Sequence, residues 1–138
     1  MAPEDGNIDA HWDFLIESPL ESYKVDVKGM KRVSRRDPDV QDTWLWVELH
    51  SVRSYNRGWL YDGKADLIAV EKIDTFVLVK RVDLLALVEQ LVNLDSTVSS
   101  ARQAKYKVYS RPKRPDKISL IETKKLDAIK WDEWEKDL

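Results

Sequence analysis

Residues 23–28, Tyr-Lys-Val-Asp-Val-Lys, alternate apolar and charged side chains almost without a break. A period of two fits a strand: Val25 and Val27 point inward, Lys24, Asp26 and Lys28 share the opposite face, and Gly29 ends the run. The same period occupies residues 11–17, with Trp12, Phe14 and Ile16 on one parity and His11, Asp13 and Leu15 on the other. Ser18 to Ser22, with Pro19, reads as the turn between them, so the two strands form a hairpin.

Downstream, an Arg-rich, Pro-containing stretch (31–42) leads to a third strand at 43–49, rich in β-formers that include Trp44, Trp46 and Val47. Residues 51–63 read as a loop, with Trp59, Leu60 and Tyr61 folding back onto the sheet. The apolar runs 65–70 and 75–79 predict two further strands, the second buried on both faces. From Val82 to Leu94, Leu84, Leu85, Leu87, Val88, Leu91 and Val92 recur at helical spacing, with Asp83 in the first turn. Strands at 106–109 and 118–122 flank a turn at 111–115, and a short helix is expected at 125–136, where Trp131 and Trp134 are three apart. These elements predict one α/β domain over residues 1–138, a mixed β-sheet with the 82–94 helix on one face.

Composition removes several kinds of chemistry. The 138 residues contain no cysteine and only two histidines, which excludes thiol nucleophiles and disulfides and makes a zinc site improbable. Four glycines supply no phosphate-binding loop, no dinucleotide fingerprint and no Gly-x-Ser-x-Gly elbow. No apolar stretch is long enough to span a membrane, and residues 1–6 lack the blocks of a secretory signal, so the expected location is cytoplasmic.

The net charge of −2 conceals two basic clusters. Lys24, Lys28, Lys31, Arg32, Arg35 and Arg36 face one anion, Asp26; Arg102, Lys105, Lys107, Arg111, Lys113, Arg114 and Lys117 face one other, Asp116. A local positive patch is all that phosphate binding requires, although solvated loops would have the same composition.

Chemistry concentrates in the hairpin. Carboxylates on paired strands, here Asp13 and Asp26, can approach closely enough to share a divalent cation. Asp26 and Lys28 point the same way about 6.6–7 Å apart along the strand, so one can bind metal while the other meets a phosphate or a water. A plain cross-strand ion pair, contributing under about 1 kcal/mol, is the structural alternative.

At this point the sequence resembles the PD-(D/E)XK nuclease superfamily, in which an acid on one strand and an acid-x-Lys on the next form a metal-dependent phosphodiesterase centre. Asp13 and Asp26-Val27-Lys28 carry the match. His-Trp-Asp-Phe, Val-Asp-Val-Lys-Gly-Met-Lys, Trp-Val-Glu-Leu at 46–49 and Gly-Trp-Leu-Tyr at 58–61 look like small phage-type members, over roughly the first 85 residues. The resemblance implies a restriction-endonuclease-like fold and a DNA endonuclease or resolvase-like hydrolase. It implies Mg²⁺ (or Mn²⁺) held by Asp13, Asp26 and the carbonyl of Val27, with Lys28 orienting water or stabilising charge. One departure stands out: only eleven residues precede Trp12 and Gly6 interrupts them, so the usual N-terminal helix is short, missing or replaced, with Glu4, Asp5 and Asp9 as stand-ins for its acid.

DNA contacts are then expected from Lys31, Arg32, Arg35, Arg36, Arg57, Trp59, Arg111, Lys113 and Arg114, with Trp59 either stacking on a base or tucking a loop onto the sheet. His11, sharing the face of Asp13, and Glu48, sharing the parity of Trp44 and Trp46, are accessory candidates. Cutting two strands would favour a homodimer. Two other readings compete: a catalytically inactive nuclease-like domain that binds nucleic acid or a protein, and an adaptor that uses its Trp and Tyr side chains as an interface.

Overall fold

The computed structural model describes residues 13–17, 22–50, 58–111 and 116–136. Strands β1 (Phe14–Glu17) and β2 (Ser22–Lys28) pair antiparallel, Phe14 opposite Val25 and Glu17 opposite Ser22, as the alternation predicts. The residues between them, 18–21, lie outside the described set. On its other side β2 pairs parallel with β4 (Leu67–Glu71), β4 pairs antiparallel with β5 (Thr75–Lys80), and β5 with β9 (Lys130–Glu135). This gives a five-stranded mixed sheet in the order β1-β2-β4-β5-β9.

A second sheet corrects the expectation of one. Strand β3 (Trp44–His50) does not join the hairpin; it pairs antiparallel with β8 (Lys117–Glu122), followed by β7 (Lys107–Ser110) and β6 (Asn93–Val98) in the order β3-β8-β7-β6. The parallel β6–β7 pairing makes this sheet mixed as well. Alternation specifies that a segment is a strand and which face it covers, but not which strand it pairs with.

One apolar cluster joins the two sheets. Ile68, Val70, Val77 and Val79 of the first sheet meet Leu45, Val47, Val108 and Ile121 of the second, with Leu84 and Val88 of helix α2 (Arg81–Leu91). A smaller cluster of Val25, Leu67, Ala69 and Leu78 covers the first sheet's other face. Both faces are therefore covered, which explains the near-continuous apolar runs of β4 and β5.

Two element boundaries differ from expectation for identifiable reasons. Helix α2 stops at Leu91, and 93–98 is a strand, because the Asn93 N–H bonds to the Tyr106 carbonyl and the Asn93 side chain accepts from the Asp95 N–H in a local turn. The expected C-terminal helix is replaced by a 3₁₀ segment, Thr123–Ala128, and edge strand β9. A bulge in the β5–β9 register at Leu78/Val79 lets both indoles meet the outer cluster: Trp131 packs edge-on against Tyr23 and Trp134 pairs opposite Phe76. The helical spacing of the two tryptophans is thus a property of a bulged strand.

Candidate active site

The extended β1–β2 register places Asp13 directly across from Asp26, at the point where regular pairing ends. Asp13 uses its own N–H to bond the Val25 carbonyl at 2.6 Å, and its Oδ2 accepts the Val27 N–H at 2.5 Å. In a strand the N–H and C=O of one residue point to the same side, so the Val27 carbonyl faces this edge too.

Asp26 is 6 % exposed, on the same face as Ile68, its partner in β4. Parity was legible in the sequence; the orientation needs correction, because the charged face of β2 is turned toward the larger core and the valine face toward the smaller one. Burial pushes the Asp26 carboxyl up to about 6, against the pull of Lys28, and the neighbouring Asp13 carboxylate pushes the same way as burial. Lys28 Nζ lies 2.9 Å from the buried Asp26 Oδ2, an ion pair that offsets part of the cost of burying that carboxylate. Two carboxylates therefore adjoin, one of them buried and facing the Lys28 ammonium.

Lys28 is fixed from its other side as well. Its ammonium sits 4.4 Å from the centroid of the Trp59 ring. Trp59 opens a single helical turn, α1 (Trp59–Asp62), and is 6 % exposed within the main core. It therefore anchors the returning loop, and its buried ring does not offer a free stacking face. Glu48 Oε1 accepts the Trp59 N–H at 3.3 Å, which links Glu48 to the centre through the tryptophan. Gly58 permits this approach, with φ at +94° and a space in which a Cβ would come within 2.8 Å of the Glu48 carbonyl.

A groove of about 880 Å³ extends from Lys28 along edge strand β3. Lys31, Arg32, Arg35 and Arg36 line it together with Glu48, Trp59 and Arg111, so the basic segment after the hairpin and one residue of the second cluster share a surface. The loop carrying the first four is held by the Lys31–Gln41 bridge and by the Trp46 Nε1–H donating to the Arg32 carbonyl at 3.0 Å. Arg102, by contrast, is engaged with Asp37 at 2.6 Å. His11, Arg57, Lys113 and Arg114 lie outside the described residues.

No family model, curated protein or solved structure matches the chain. The resemblance to the PD-(D/E)XK nucleases consequently rests on residues 13 and 26–28 and on this arrangement. Among the described residues no three His, Asp or Glu side chains converge on one point, so a cage of side chains alone is absent. Two carboxylates and a carbonyl are nevertheless a set of hard oxygen donors suited to Mg²⁺, which binds through few protein ligands and keeps several waters.

Sequence reasoning overlooked two carboxylates. Glu71, at the end of β4, accepts the Met30 N–H at 3.0 Å through Oε1 and pairs with Lys136 at 2.7 Å through Oε2, fixing the chain as it leaves β2. The Lys136 contact, then the Met30 N–H, holds its pKa below the usual value. Asp116, 2 % exposed, pairs with Arg111 and lies in the groove wall. Its one signal was its position as the lone acid in a cationic run.

Proposed function

We propose that the chain is a metal-dependent nuclease that hydrolyses DNA phosphodiesters, in a restriction-endonuclease-like arrangement. The observation that carries this reading is the meeting of Asp13 and Asp26 from adjacent strands, with Lys28 beside them at the mouth of a cation-lined groove. A wet-surface ion pair would not bury Asp26 and raise its pKa.

Asp13, Asp26 and the Val27 carbonyl would hold Mg²⁺ or Mn²⁺, which supplies a water of lowered pKa and charge neutralisation at phosphorus. Asp13 is oriented for this by the Val27 N–H, which its Oδ2 accepts. Lys28, held between Asp26 and the Trp59 ring, presents an ammonium to the anionic transition state without reorganising. Lys31, Arg32, Arg35 and Arg36 would hold the nucleic-acid backbone along the groove.

The test is cleavage of supercoiled plasmid and of branched and single-stranded DNA in Mg²⁺, Mn²⁺ or EDTA, with Asp26→Ala and Lys28→Ala in parallel. Cutting that requires metal and is lost in both variants is the expected result. No cutting, with DNA binding that still weakens as salt rises, would replace this reading with that of a binding domain.

A further inference from the structure

The far wall of the groove, on the second sheet, carries two polar atoms without partners. Arg111 and Asp116 form an ion pair through Nη2 and Oδ2, yet Arg111 Nε and Asp116 Oδ1 are both buried without a hydrogen-bond partner. A buried carboxylate oxygen and a buried guanidinium N–H left unmatched are each costly, and together they offer one acceptor and one donor. Beside them in the groove lining stand Trp46 and Tyr109, with ring centroids 6.1 Å apart and planes inclined by 40°. Trp46 is held in place by its bond to the Arg32 carbonyl, and both rings are only partly buried.

We propose that this wall is a subsite for an unpaired nucleobase, which the Trp46 and Tyr109 rings contact while Asp116 Oδ1 and Arg111 Nε bind its edge. Every nucleobase carries a donor next to an acceptor on its Watson–Crick edge, and in a duplex that edge is already used. A base face also becomes available to an aromatic ring only once the base has left its stack. The inference deepens the nuclease reading by naming its substrate class: DNA with unpaired nucleotides, such as bulged, forked or branched molecules, rather than continuous duplex. Lys31 and the arginines of the same groove then hold the flanking phosphates.

The test is binding, not cleavage, so that it stands apart from the nuclease reading. Full-length protein in EDTA is titrated by fluorescence anisotropy with a labelled duplex, the same duplex carrying a three-nucleotide bulge, and that bulge made abasic. The expected result is binding of the bulged DNA roughly tenfold or more tighter than either control, the gain that stacking of one base typically gives. Asp116→Asn, which keeps the side chain's shape, and Tyr109→Leu should each bring the bulged DNA down to the duplex value while leaving duplex affinity unchanged. A thermal melt checks that both variants fold, and Tyr109→Val serves as the second aromatic-removal variant if Tyr109→Leu does not. Equal affinity for bulged, abasic and paired DNA overturns the inference, as does a bulge preference that survives in folded Asp116→Asn and in the aromatic variant. Preference without metal-dependent cutting would retain the subsite and remove the nuclease reading; cutting without preference would do the reverse.

Discussion

Replacing Asp26 by asparagine should stabilise the protein above pH 6 while abolishing the proposed cleavage. Asp26 is 6 % exposed, and burial lifts its pKa from 3.8 to about 6 despite Lys28 beside it. About two pH units correspond to about 3 kcal/mol of preference for the neutral form in the folded state. Because the folded chain holds this proton more tightly than the unfolded one, the group favours folding at low pH. Below about 4 both states are protonated and nothing is lost; between 4 and 6 the unfolded chain ionises first and stability falls; above 6 the whole penalty is present. Asparagine has no charge to desolvate, so the variant should escape that fall and exceed the wild type at pH 8 by about 3 kcal/mol, or roughly 10 °C in Tm for a chain of this size. Urea unfolding followed by tryptophan emission from pH 4.5 to 8 in EDTA measures it. A variant less stable than the wild type at pH 8, or a gain that is the same at both ends of the range, refutes the reasoning, since an effect of shape alone does not titrate. Millimolar Mg²⁺ at pH 8 should raise the stability of the wild type and leave that of Asp26→Asn unchanged.

Three further outcomes follow from the same geometry. Lys28→Ala removes the influence that lowers the Asp26 pKa, so the carboxyl should titrate above 6, as carbon-detected NMR of the side chain would show, and plasmid cleavage should fall by at least about 100-fold, the scale of losing one preorganised charge-stabilising group. Gly58→Ala must accept φ at +94° and a Cβ within 2.8 Å of the Glu48 carbonyl; a loss of about 1–3 kcal/mol in urea unfolding is expected, with a red shift in emission as Trp59 leaves its site. The triple change of Arg32, Arg35 and Arg36 to serine should weaken DNA binding and flatten its dependence on log salt by about 0.9 for each phosphate that is no longer neutralised, measured by anisotropy titrations.

The hairpin was legible because its information is local: alternation at 23–28 fixes strand, parity and the shared face of Asp26 and Lys28, and Asp13 follows from the register. What failed was non-local. Trp44 to Leu49 read as a strand from their β-formers, yet nothing in those residues says that their partner is β8, some seventy positions on, rather than the neighbouring hairpin. Val92 continues the apolar spacing of α2 and is buried, but the chain there is extended because a distant carbonyl, that of Tyr106, claims the next N–H. Asp116 looked like one acid among many cations because burial and a missing partner are properties of position, which sequence spacing does not carry.

The same distinction explains why the centre lies where it does. A strand with one wet face would leave Asp26 solvated, its carboxyl ordinary and its pairing with Lys28 worth little. Here the first sheet is covered on both sides, by the main cluster and by the smaller one, so the charged face of β2 has no fully wet side to occupy. Lys28, at the end of β2, lines the groove together with Trp59. Asp26 is therefore a buried carboxylate two positions from Lys28, which lines the groove. A cation bound between Asp13 and Asp26 would offset the cost of that burial, so the unfavourable charge that weakens the empty protein is the same feature that would draw the metal in.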